Sequence, residues 1–167
     1  ASVRDGMSAT RAAARAALHN HAQSIDDAIT GWRSEGGTGR AWIAIESLYS
    51  MDGDIAPIDD IARVARRHDA MLVIDEAHAT GVLGQEGRGL AAHLEGRDDI
   101  IALHTCGKAL GVSGALVTLP AVLASYMINR ARPFIYATAP SPLIAATVRA
   151  ALAHISQDTT LRQRHLA

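Results

Sequence analysis

Between Ala41 and Asp75 the chain reads as an apolar run, AWIAIE (Ala41–Glu46), an amphipathic stretch, PIDDIARVARRH (Pro57–His68), and a second apolar run, MLVID (Met71–Asp75). Short apolar runs bounded by polar residues or glycine are the pattern of buried strands. The stretch between them repeats Ile58, Ile61, Val64 and Ala65 at helical spacing. Pro57 suits a first helical turn, and acidic residues lead while arginines trail, which complements the helix dipole. Two strands joined through one helix are the unit from which parallel sheets are built, because a parallel partner needs a crossover connection.

The rest of the chain extends the pattern. Ile100–His104 and Ala115–Leu119 are further strand candidates, and helices are predicted over Ser24–Trp32, Ala121–Arg130 and Pro142–His154. The expectation is an α/β fold, a mostly parallel sheet sandwiched by helices. At 167 residues the chain fits one domain with a sizeable core. It shows no internal repeat or low-complexity linker.

Composition narrows the function. A net charge of -1 offers no basic surplus for nucleic acid, and no apolar run is long enough to span a bilayer, so neither nucleic acid nor membrane is an expected partner. Cys106 is the single cysteine, which excludes an internal disulfide and suits a reducing, cytoplasmic setting. The N-terminal stretch lacks a secretory pattern. It opens on ASVRDG without methionine and the other end stops inside a helix-compatible run, so both ends read as cut from a longer protein.

Fifteen of the sixteen basic residues are arginine; the exception, Lys108, sits in HTCGKALGVSG, which begins at His104. A guanidinium stays protonated, whereas a lysine amine can lose its proton and form an imine with an aldehyde. One lysine surviving by chance in an arginine-biased composition is the alternative, and the neighbourhood decides against it. Ligands of parallel sheets bind beyond the carboxyl ends of the strands. There Ser50 follows the first strand, Asp75 and His78 end the second, and Thr105 and Lys108 follow the third.

A carboxylate at the end of an apolar strand needs a cationic or hydrogen-bonding partner. A pyridinium nitrogen is such a partner: Asp75 would keep a pyridoxal ring protonated while Lys108 holds the same cofactor, pyridoxal 5′-phosphate, as a Schiff base. His78 could reach the ring's phenolic oxygen, or be a surface or helix-capping histidine. Thr105 could offer its hydroxyl to the phosphate beside backbone amides of the glycine-rich turn, or simply end a strand. Other motif readings fail. The DEAH of Asp75–His78 lacks the P-loop a helicase needs; Gly81, Gly84, Gly87 and Gly89 are not spaced as GxGxxG; His19 with His21, or His78 with Glu76, lack the spacing of a metal site. No metal is expected, and Cys106 reads as a small buried thiol.

Four segments in order, ESLYSMDGDIAP (Glu46–Pro57), IDEAHATGVLGQEGRG (Ile74–Gly89), TCGKALGVSGA (Thr105–Ala115) and RPFIYATAPSP (Arg132–Pro142), resemble the α-oxoamine synthases, pyridoxal-phosphate enzymes of aminotransferase fold type I. The likeness runs through essentially the whole chain and is nearest the family's biotin-pathway branch. 2-Amino-3-ketobutyrate ligase, 5-aminolevulinate synthase and serine palmitoyltransferase share most of the motifs.

The resemblance implies a decarboxylative condensation of an amino acid, L-alanine, with an acyl-CoA, pimeloyl-CoA or its carrier-protein form. It gives Lys108 the cofactor linkage and the movement of the substrate's α-proton, Asp75 the ring nitrogen, His78 the phenolic oxygen, Ser50 a place near the ring and Thr105 the phosphate. Thr138 matches a position that reaches a phosphate across a dimer interface, so a homodimer is implied. Glu46 matches the family pattern without a physical role.

The stretch would then be the central part of the cofactor-binding large domain. Three parts of the family pattern are missing: the ring-stacking histidine, which would precede Ala1-Ser2, the upstream phosphate turn and the downstream small domain. By itself it is expected to bind cofactor weakly, not to turn over, and to expose interface surface. An aminotransferase or lyase of the same fold, and a catalytically silent scaffold, are the competing readings.

Overall fold

The computed structural model describes residues 2–10 and 12–166; the expectation attached to Ala1-Ser2 falls in part on Ala1, outside the described residues. The strands are β1 (Trp42–Glu46), β2 (Met71–Asp75), β3 (Ile100–Thr105) and β4 (Ala115–Thr118), each within one or two residues of the sequence reading. They form one sheet in the order β1-β2-β3-β4, with β1, β2 and β3 parallel and β4 antiparallel to β3. The helices are α1 (Ser2–Ser8), α2 (Ala22–Ser34), α3 (Ile58–Arg67), α4 (Ala121–Arg130), α5 (Arg132–Ile135), α6 (Pro142–Gln157) and α7 (Thr159–Leu166). The sequence reading missed α1, α5 and α7, which at seven, four and eight residues are too short to show a repeating stripe; α4 and α6, which also bury no residue, are longer at ten and sixteen.

The core lies on one face of the sheet. Ile43 and Ile45 of β1, Leu72 and Ile74 of β2 and Ile100 of β3 pack with Ile29 of α2 and Ile58, Ile61, Val64 and Ala65 of α3. The alternate positions Ala44, Val73, Ile101 and Leu103 face the other way and are only half-buried. Burial on one face and partial cover on the other follow from the two-residue period of a strand. Asp75 belongs to the half-covered face, in register with Glu46 on β1 and Leu103 on β3.

The β2-to-β3 connection, residues 76 to 99, contains two short 3-10 turns in place of an α-helix. Its glycines let the chain fold tightly on itself: Gly81 N–H donates to Gly87 O at 2.7 Å and Gly89 N–H to Leu83 O at 3.0 Å. Gly89 adopts φ +97°, where a side chain is strained in any case.

His19 and His21 make local contacts. His21 caps α2, its Nδ1 accepting from Ser24 N–H at 3.0 Å, and His19 Nε2 lies 2.8 Å from Asp54 Oδ2. Asp26 on α2 meets the end of α3, with His68 Nε2 at 2.5 Å from Oδ1 and Arg67 Nη1 at 2.8 Å from Oδ2. The hydrogen bond from His68, then the Arg67 charge, holds the Asp26 carboxyl below its ordinary value. A lowered folded value means that the contribution is full above the unfolded carboxyl value near 4 and is lost as pH falls through the folded one. Asp26→Asn is therefore expected to lower the melting temperature at pH 7, and the gap from wild type should close below about pH 4. Melting curves across that range check it; a gap that persists in acid would assign the loss to packing.

Candidate active site

Because β1, β2 and β3 run parallel, their carboxyl ends open at one edge, and the residues that follow them share a rim. Lys108 rides on the turn between β3 and β4. That turn is tied down at both sides of the lysine: Cys106 N–H donates to Gly114 O at 2.9 Å, Val112 N–H to Cys106 O at 3.0 Å and Gly111 N–H to Lys108 O at 3.0 Å. Cys106 and Leu110 are buried while Gly107, Lys108 and Ala109 are exposed, so the turn is anchored by apolar feet and presents its amine outward. Burial pushes the Cys106 thiol up, which suits an inert packing residue.

Lys108 Nζ lies 2.5 Å from His78 Nε2. His78 is half-buried in the turn after β2, and Asp75 ends β2 on the face left partly open. Asp75 Oδ1 accepts the Ala77 amide at 2.9 Å, an Asx-type turn that fixes the carboxyl group. Ser50 is exposed in the loop after β1; its amide donates to Glu46 Oε2 at 3.1 Å. That bond supplies the role missing for Glu46: at the last position of β1, it anchors the loop that carries Ser50. Thr105 closes β3, half-buried and opposite Ala115 of β4. Thr138 is exposed beyond α5 and makes no side-chain hydrogen bond among the described residues. The fold thus joins Lys108 and His78 directly and puts Asp75, Ser50 and Thr105 at the ends of the same parallel strands. Thr138 comes from a separate segment.

Sequence reasoning passed over a second, buried layer beneath the rim. Glu76 and Ser47 are fully buried and bonded to each other, Ser47 Oγ donating to Glu76 Oε2 at 2.8 Å. Farther along, Thr80 Oγ1 donates to Glu76 O at 2.8 Å and contacts His104 Nδ1 at 2.8 Å, while His104 Nε2 faces Glu95 Oε1 at 3.3 Å. The available signal was alternation: if Asp75 faces the open side of β2, the next residue must face the core side, where a carboxylate cannot sit without partners.

The chain matches the family model of class I and II aminotransferases over residues 4–167, and it belongs to that family. It is similar to 8-amino-7-oxononanoate synthase of Acidithiobacillus ferrooxidans, 41% identical over 153 residues that cover 89% of this chain and 39% of the relative. Among solved structures it resembles 8-amino-7-oxononanoate synthase of Francisella tularensis, with TM-score 0.79 and 29% identity over 98% of this chain and 46% of that one. It also resembles a serine palmitoyltransferase of S. paucimobilis with bound PLP-myriocin aldimine, with TM-score 0.84 and 27% identity over 98% of this chain and 42% of that one. The α-oxoamine synthase likeness and the α/β architecture read from the sequence are thus found in both sequence and structural relatives. The chain spans about two fifths of the length of the curated relatives it matches.

Proposed function

We propose that the chain forms the central part of the cofactor-binding domain of a pyridoxal-phosphate-dependent α-oxoamine synthase. The reaction joins L-alanine to a pimeloyl thioester, CoA or carrier-protein bound, with loss of carbon dioxide and release of the thiol, to give 8-amino-7-oxononanoate. The observation that carries this reading is the contact between the one lysine amine of the chain and His78, on a rim shared with the Asp75 carboxylate.

These groups fit pyridoxal phosphate. An exposed amine is matched to the aldehyde, and Asp75, with a backbone amide as its hydrogen-bond partner, remains open to a protonated ring nitrogen. When bound, the cofactor supplies a ring that draws electrons from the substrate's α-carbon. Asp75 would hold the proton at the ring nitrogen. His78 Nε2 would donate to the phenolic oxygen, and the Lys108 amine would be the base that accepts and returns the α-proton. Thr105 and the backbone amides of the Lys108 turn would bind the phosphate, Ser50 would sit beside the ring, and Thr138 would reach the phosphate site of a second copy. A homodimer in the cytoplasm is the matching assembly. Exposed Val122, Tyr126, Phe134, Tyr136 and Leu143 on and beside α4, α5 and α6 support such an interface.

Turnover assays on the intact protein, pairing alanine, glycine or serine with short, pimeloyl and palmitoyl thioesters, test the reading. Thiol release with alanine and the pimeloyl thioester is the expected result. Preference for serine and palmitoyl would move the chain to the serine palmitoyltransferase type, and amino-group transfer without thiol release would make it an aminotransferase.

A further inference from the structure

We infer that Glu76 is a positioning residue that sets the His78–Lys108 contact from the opposite side of the sheet. Every polar group of Glu76 is engaged. Its N–H donates to Leu103 O of β3 at 2.8 Å, and its carbonyl accepts Ala79 N–H at 3.0 Å, Thr80 N–H at 2.8 Å and the Thr80 hydroxyl at 2.8 Å. The carboxylate accepts Ser47 Oγ–H at 2.8 Å and Leu90 N–H at 3.1 Å on Oε2, and Ala91 N–H at 2.5 Å on Oε1. Residues 76 to 80 are the turn that carries His78, so the carbonyl bonds shape the turn and the carboxylate ties it to Ser47, just past β1, and to Leu90 and Ala91 within the 76–99 connection.

The site is built for a carboxylate. Glu76 is 0% exposed, has no ion-pair partner among the described residues, and its carboxyl oxygens accept from three donors. The chain makes room for it: a Cβ at Gly89 would stand 2.6 Å from Glu76 Oε2. A glutamine cannot replace it, because both oxygens face backbone N–H groups and either orientation of the amide would turn an NH₂ toward one of them. Asp75 and His78, one residue before and two after, are thereby held in one backbone geometry.

The test uses Lys108 as its own reporter, since it is the one lysine. The rate of Lys108 acylation by an amine-reactive anhydride, followed against pH by peptide mass spectrometry in cofactor-free protein, reads the contact with His78. Glu76→Gln is expected to change that rate by about fivefold, the equivalent of one hydrogen bond, with a pH profile that superposes on that of His78→Ala. Ser47→Ala, which removes one of the three donors, should move the profile the same way by less, and it decides the matter should Glu76→Gln fail to fold. A wild-type profile in either folded variant, with only the melting temperature lowered, would overturn the inference and leave Glu76 a packing residue.

The link to the cofactor rests on the proposed function and is read separately. Borohydride trapping with pyridoxal phosphate should give half-saturation about fivefold higher in Glu76→Gln than in wild type. An unchanged half-saturation would confine Glu76 to the apo contact. A wild-type protein that traps no adduct at Lys108 would remove the cofactor reading, while the acylation profiles would still decide the positioning role.

Discussion

Lys108→Ala is expected to abolish the pyridoxyl adduct that borohydride traps in the wild-type protein, and to lower turnover of the intact enzyme by at least the 10²–10⁴-fold typical of a lost acid-base group. The reasoning is chemical. With Lys108 as the one lysine, no other side chain of the chain can form an imine with the cofactor aldehyde. Lys108→Arg keeps the charge and should fail equally, since a guanidinium does not lose its proton near neutrality. Both variants should fold, because the side chain is exposed and surface substitutions change stability by about 0.5 kcal/mol or less. Peptide mapping of the reduced protein makes the measurement. Label surviving at the terminal amine in the variants, with wild-type turnover, would remove Lys108 from the mechanism; a variant that fails to fold would make the lysine structural.

Leu72→Ala should cost about 2–5 kcal/mol, the range for deleting a buried leucine in a core that cannot close around the gap. Leu72 is 0% exposed in the central strand β2, paired with Ile43 on one side and Ile100 on the other. Those neighbours are fixed by strand hydrogen bonds, so little collapse is available to offset the cavity. Against a total stability of about 5–15 kcal/mol, such a loss would bring a small domain close to unfolding. Denaturant titration should show a lowered midpoint with the slope unchanged. Ala44→Gly on the half-covered face is the control and should cost markedly less. Equal losses at the two positions would mean that the second face is as tightly packed as the first.

Strand and helix positions were legible because their periodicities reflect burial: β2 was read to the residue, and α3 began one residue after its predicted proline. α7, at eight residues too short to show a repeating stripe, left no such trace. The rim was legible for a related reason. A carboxylate closing an apolar strand and one lysine among arginines are local anomalies, visible without coordinates. Glu46 and Glu76 are different. Each looks like an ordinary acidic residue beside a strand end, and each acquires its role from a partner four or more positions away, Ser50 N–H in one case and Ser47, Leu90 and Ala91 in the other.

The sequence alone determined the alternation of strands and helices, the family motifs and the residues able to do imine chemistry, because those depend on residue type and local spacing. Tertiary structure decided which face of the sheet is sealed, that β4 runs antiparallel, that His78 meets Lys108 across thirty positions of chain, and that Glu76 lies buried beneath them. These are consequences of pairing between distant segments, and register and contact across such distances are set by the whole packed core.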